Sequence, residues 1–171
     1  MRNLLHVPVL LFMLLSCTKG GDEQGNCPIS ASPYYYSNGG ARIQFPSAFT
    51  PNADGRNDRF RPVGIAGITN FNMEIYDAAG AVMYRTNDPY GFGWSGQTTS
   101  GVQLAPGRYP VHFEFRTLNG ETVDKEICVA LLAYGQANCI EQTTGELFFF
   151  EDQLDPNGPG QYHQTLEIMC Q

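Results

Sequence analysis

Through the middle of this chain, apolar and polar positions alternate. The clearest run is residues 108–116, where Tyr109, Val111, Phe113 and Phe115 fall on one side and Arg108, His112, Glu114 and Arg116 on the other. Successive side chains of a strand point to opposite faces, so a period of two predicts a half-buried strand. Leu118-Asn119-Gly120-Glu121 then forms a turn, and residues 122–132 return as the partner strand. Residues 42–45 alternate and stop at Pro46. Phe71, Met73 and Ile75 alternate with Asn72, Glu74 and Tyr76, and the turn Asp77-Ala78-Ala79-Gly80 sends residues 81–85 back as a hairpin arm. Near the C-terminus, Leu147-Phe148-Phe149-Phe150 predicts a strand, residues 155–160 a turn, and residues 165–170 a return strand. Three consecutive phenylalanines require that this hairpin dock on the body. No segment combines helical spacing with caps.

Strands arriving every 8–12 residues with turns between them predict an antiparallel β-sandwich or barrel. Its inward faces would bury Phe45, Phe71, Ile75, Val111, Phe113 and Val129. Each such side chain, fully buried, contributes about 1.5–3 kcal/mol. The 19 glycines and 11 prolines suit this turn-rich, all-β reading. Two readings stay open for Tyr34, Tyr35 and Tyr36: a first strand packed on the core, or an exposed cluster for sugar or protein.

The N-terminus has a different pattern. Arg2 precedes a mostly apolar stretch over residues 4–15, short for a bilayer span but suited to a signal peptide. It ends in Leu14-Leu15-Ser16-Cys17, which resembles a bacterial lipobox. Cleavage after residue 16 and acylation of Cys17 would fix the protein to a membrane, since each buried acyl CH₂ contributes about 0.8 kcal/mol. An ordinary signal peptide with an incidental cysteine is the alternative. Residues 17–41 then form a tether and N-terminal extension, in which Asp22-Glu23 is similar to acidic export signals of surface lipoproteins. The expected location is the outer membrane, at the cell surface or the periplasmic face.

With Cys17 lipidated, Cys27, Cys128, Cys139 and Cys170 remain. An even number in an exported chain predicts two disulfides with three possible connectivities, stapling the N- and C-terminal extensions to the sandwich. No CxxC pair or Cys/His spacing suggests zinc. The net charge of −7 disfavours nucleic acid as a partner.

The most specific stretch is Phe49-Thr50-Pro51-Asn52-Ala53-Asp54-Gly55-Arg56-Asn57-Asp58. It resembles the FTPNGDGxND signature of the gliding motility-associated C-terminal domain, also called the type B sorting domain of type IX secretion. Residues 71–76 are similar to that family's FxxxIY strand, Trp94-Ser95-Gly96 to its WDG, and Pro106-Gly107-Arg108-Tyr109 to its PxGxY. The resemblance runs from about residue 43 to 132 and implies an Ig-like or fibronectin-like β-sandwich. It also implies a role in type IX export and surface attachment. The expected organisation is therefore a signal peptide (1–16), a tether and extension (17–41), the sandwich (42–132) and a C-terminal hairpin extension (133–171).

Asn52, Asp54, Asn57 and Asp58 place four side-chain oxygens within seven residues, around Gly55. Such a loop suits Ca²⁺, which takes six to eight oxygen ligands. The alternative is that these side chains cap turns through their own backbone. Trp94 is either a packing residue or a carbohydrate platform. His112 lies among charged neighbours and His163 ends a turn, and no nucleophile elbow, zinc helix or phosphate loop accompanies them. The reading is a non-enzymatic, lipid-anchored envelope protein that binds a protein or glycan. A sorting or assembly factor for type IX secretion or gliding is the alternative.

Overall fold

The computed structural model describes Cys27, residues 31–132 and residues 147–164. The signal peptide, Cys17, Cys139, Cys170 and the return strand at 165–170 lie outside the described residues. Eight strands follow one another: β1 Tyr34–Asn38, β2 Ala41–Phe45, β3 Ala48–Phe49, β4 Val63–Ala66, β5 Ile68–Tyr76, β6 Val82–Thr86, β7 Gly107–Thr117 and β8 Thr122–Leu131. The single helical element among the described residues is a 3₁₀ turn at Glu151–Gln153. The protein is an all-β, Ig-like sandwich.

One sheet has the order β1-β2-β4 and the other β3-β8-β7-β5-β6. All pairings are antiparallel except β3 with β8, a short parallel edge in which Ala48 lies opposite Ala130. The longest ladder, β7 with β8, holds Gly107 opposite Leu131 and Arg116 opposite Thr122. That register places Tyr109, Val111, Phe113 and Phe115 inward, as the alternation requires, because slipping by one residue would expose all four.

Between the sheets the core is aromatic. Phe113 stacks on Phe45 with ring centroids 4.4 Å apart and meets Tyr34 at 5.1 Å. Tyr36 meets Phe115 edge-on at 5.4 Å. Phe45, Ile75, Val111, Phe113 and Val129 are fully buried, and Phe71 nearly so. β1 is thus the first strand, and two of its three tyrosines pack inward.

A second apolar cluster lies on the other side of β8. Ala31, Ala48, Cys128, Ala130 and Leu132 line it, and Phe148 and Phe150 fill it. Cys27 is disulfide-bonded to Cys128, with Cα atoms 5.9 Å apart, and stitches the N-terminal extension to β8 beside this cluster.

Residues 148–150 form no strand, contrary to the alternation-free apolar run that predicted one. They are held at one residue, Ser47: its N–H donates to the Phe149 carbonyl at 2.8 Å and its Oγ accepts from the Phe149 N–H at 2.7 Å. The chain then turns through Glu151–Gln153 and closes a narrow bridge between Leu154 and Tyr162. The segment 147–164 therefore crosses the body as a strap. Phe148 and Phe150 fill the cluster outside β8 and Phe149 packs on Tyr162, so no neighbouring ladder is needed.

Candidate functional site

The signature loop connects β3 to β4. It is closed by the Thr50 N–H, which donates to the Asn57 carbonyl at 2.8 Å. Asp58 accepts at both carboxylate oxygens, from Ala53 N–H at 2.6 Å and Gly55 N–H at 2.8 Å. Asn52 Oδ1 accepts from Asp54 N–H at 3.1 Å, and Asp54 Oδ1 from Arg56 N–H at 2.9 Å. Asn57 Oδ1 accepts from Asp152 N–H of the strap at 3.1 Å. Asn57 also takes a left-handed φ of 48°, which asparagine tolerates better than most residues. Both Asp58 oxygens and one oxygen each of Asn52, Asp54 and Asn57 thus accept from backbone N–H groups, and Asp54 Oδ2 accepts from the Asn52 side-chain amide at 3.2 Å. This is the hydrogen bonding that the turn-capping alternative expects of Asn52, Asp54, Asn57 and Asp58.

Trp94 sits directly behind this loop. Its N–H donates to the Phe60 carbonyl at 2.9 Å and its carbonyl accepts from Phe60 N–H at 2.8 Å, so the signature and tryptophan motifs form one bridge. The indole is 1% exposed, packed on Phe49 and Tyr109, and its N–H donates to the Gln97 carbonyl at 2.8 Å. It presents no face to a sugar, so packing is its role. Of the tyrosines, Tyr34 and Tyr36 are drawn inward, and burial pushes the Tyr34 hydroxyl pKa up. Of the Tyr34–Tyr36 cluster only Tyr35 stands in solvent, and Gly160 of the strap lies against its ring.

What these pieces create is a groove of about 920 Å³. The signature loop forms one wall, residues 89–92 a second, and Glu151, Asp152, Leu154, Pro156 and His163 of the strap a third, over a floor of Val63 and Ile65. Two aromatic side chains stand on its rim, Tyr90 70% exposed and Phe92 87% exposed. Their loop is pinned. Asp88 accepts from Tyr90 N–H at 2.9 Å and Gly91 N–H donates to the Asp88 carbonyl at 3.3 Å. Gly93 is required at its end, since a Cβ there would lie 2.5 Å from the Phe60 carbonyl oxygen. Arg61 bridges body and strap through Glu151 at 2.5 Å, and this hydrogen bond raises the arginine's pKa.

The sequence pattern pointed to the loop and to Trp94 but missed Tyr90, Phe92, Arg61 and Glu151. The available signal was Pro89-Tyr90-Gly91-Phe92-Gly93, aromatics set between residues that cannot continue a strand. Neither histidine is a groove centre: His112 pairs with Asp124 at 2.8 Å on an outer sheet face, and His163 lies 3.8 Å from Asp155 at the groove edge.

The described residues thus form an Ig-like sandwich with a loop-walled groove at one side, and no helix among them is long and apolar enough to cross a membrane. Residues 43–129 match the CHU_C Type IX secretion signal domain, and this chain belongs to that family. The match ties the protein to type IX secretion sorting and to the cell envelope or exterior. Among solved structures, CopC from Methylosinus trichosporium OB3b is similar at 12% identity and a TM-score of 0.31, over 60% of this chain and 96% of that one. No curated protein matches the chain.

Proposed function

We propose that the protein is a lipid-anchored component of the outer membrane whose sandwich is a non-catalytic, structural or adhesive module that binds a protein or glycan in the groove. The observation that carries this is the pinned loop holding Tyr90 and Phe92 outward. Large aromatic side chains exposed beside a concavity are the usual anchors of an interface. The leader that ends just before Cys17 supports anchoring, and the Cys27–Cys128 disulfide suits an oxidising compartment.

The test is a Tyr90→Ser/Phe92→Ser double variant on intact cells. Retained melting temperature with lost surface binding is the expected result, and unchanged binding would remove the groove from the account. Separately, Cys17→Ala should release the protein from membranes; undiminished membrane association would end the lipid-anchor reading.

The family match favours a second reading, a sorting or assembly factor for type IX secretion or gliding. Deleting the gene distinguishes the two: loss of secretion of other cargo supports sorting, whereas normal secretion with lost binding supports adhesion.

A further inference from the structure

We propose that the face beneath the strap is a peptide-docking groove, which the chain fills with its own residues 147–164 and which the same segment of a second copy can fill instead, joining copies tail to body. The first support is the pair of anchors. Phe148 and Phe150 are 5% and 0% exposed, and both enter the cluster on the outer side of β8. The body contributes small side chains there, Ala31, Ala48 and Ala130, so the body offers the hole and the strap the knobs.

The second support is what the other contacts address. Gln44, 1% exposed, donates through Nε2 to the Asp155 carbonyl at 2.6 Å and accepts at Oε1 from Gly160 N–H at 3.1 Å. Ser47 engages both polar backbone atoms of Phe149, and Asn57 engages the N–H of Asp152. The body thus reads the strap chiefly through its main chain, with two apolar side chains as anchors. That combination is how proteins bind extended peptides.

Charge agrees. The strap brings Glu151, Asp152 and Asp155 to the side of the body bearing Arg42, Arg56, Arg59 and Arg61, half of the eight Lys and Arg among the described residues. None of these contacts depends on the strap belonging to the body it occupies. Residues 133–146 are fourteen in number. A chain of that length can reach up to about 48 Å, far enough for a neighbouring copy. Exchanging an identical element reuses existing contacts, which makes it a low-cost route to assembly.

The probe is a fluorescein-labelled synthetic peptide of residues 147–164. It is titrated against the full chain carrying Phe148→Asp and Phe150→Asp, whose own strap cannot seat. Binding to this variant is expected, with wild type roughly 100-fold weaker because its tethered strap competes at an effective concentration on the order of millimolar. No binding to a variant that keeps its β-sheet circular dichroism overturns the proposal. Should that variant unfold, wild-type chains bearing two different tags, one with a photo-crosslinker at position 149, decide the matter. Cross-links between tags that increase with protein concentration support exchange. Cross-links confined to single chains at every concentration exclude it.

Discussion

The two apolar clusters of this protein are built by different rules. The one between the sheets comes from strands whose inward positions recur with a period of two, so each strand donates one face to it. The one outside β8 has no such source: small residues of β3 and β8 meet two phenylalanines from a segment without strand structure. β8 records both rules along its length. Its first half is exposed except for the inward Val123, whereas residues 127–131 are buried on both faces. A strand covered on both sides reads as a continuous apolar run. Ile127-Cys128-Val129-Ala130-Leu131-Leu132 was that signal, and it shows that something must cover the outer face of the sheet.

The comparison is broken most severely by Phe113→Ala. Phe113 contacts Tyr34, Phe45 and Phe115, and the cavity should cost about 3–5 kcal/mol in urea unfolding. A loss under about 1 kcal/mol would mean that the inter-sheet layer is not the stabilising core.

Next is the disulfide, which bridges residues 101 apart in sequence. Cys27→Ser leaves Cys128 as a small buried apolar group and should cost about 2–4 kcal/mol, chiefly through a less constrained unfolded chain. Matching stability of the variant and wild type in oxidising buffer would count against a formed bond.

Phe150→Ala tests the difference between the clusters directly. Phe150 is as buried as Phe113, but it comes from the strap and not from a strand of the sandwich. We expect a global loss of only about 2 kcal/mol, with new protease cleavage confined to residues 147–164. A loss equal to that of Phe113→Ala would make the two clusters one cooperative unit.

Ala53→Gly works in the opposite direction. Ala53 has a φ of 62°, a left-handed value that costs a residue with a Cβ about 1–2 kcal/mol, and the related family signature has glycine there. The substitution should gain about 1 kcal/mol, after the greater flexibility of unfolded glycine is offset. A destabilised variant would show that the loop is not strained.

The smallest effect concerns the uncovered side of β5. Glu74 accepts hydrogen bonds from Tyr76 and then Arg85, which hold its pKa below the ordinary carboxylate value. A depressed folded pKa contributes stability above the unfolded value of about 4.3, and that contribution is lost as pH falls through the folded pKa. Glu74→Gln should therefore flatten the acid limb of the stability curve below about pH 4.3 and leave it parallel to wild type at neutral pH. An unchanged acid limb would mean the bonds are not kept in solution.

The sequence alone determined the β class, most strand positions, the inward residues of β2, β5, β7 and β8, and the family. It could do so because a period of two and its turn residues are local and redundant along each strand. Only the tertiary structure decided that Cys27 joins Cys128, that the apolar run at 148–150 is a strap, and that Tyr90 and Phe92 rim a groove. Those outcomes depend on which distant segments meet, and contacts between Ser47 and Phe149, or Asn57 and Asp152, leave no periodic mark on the chain.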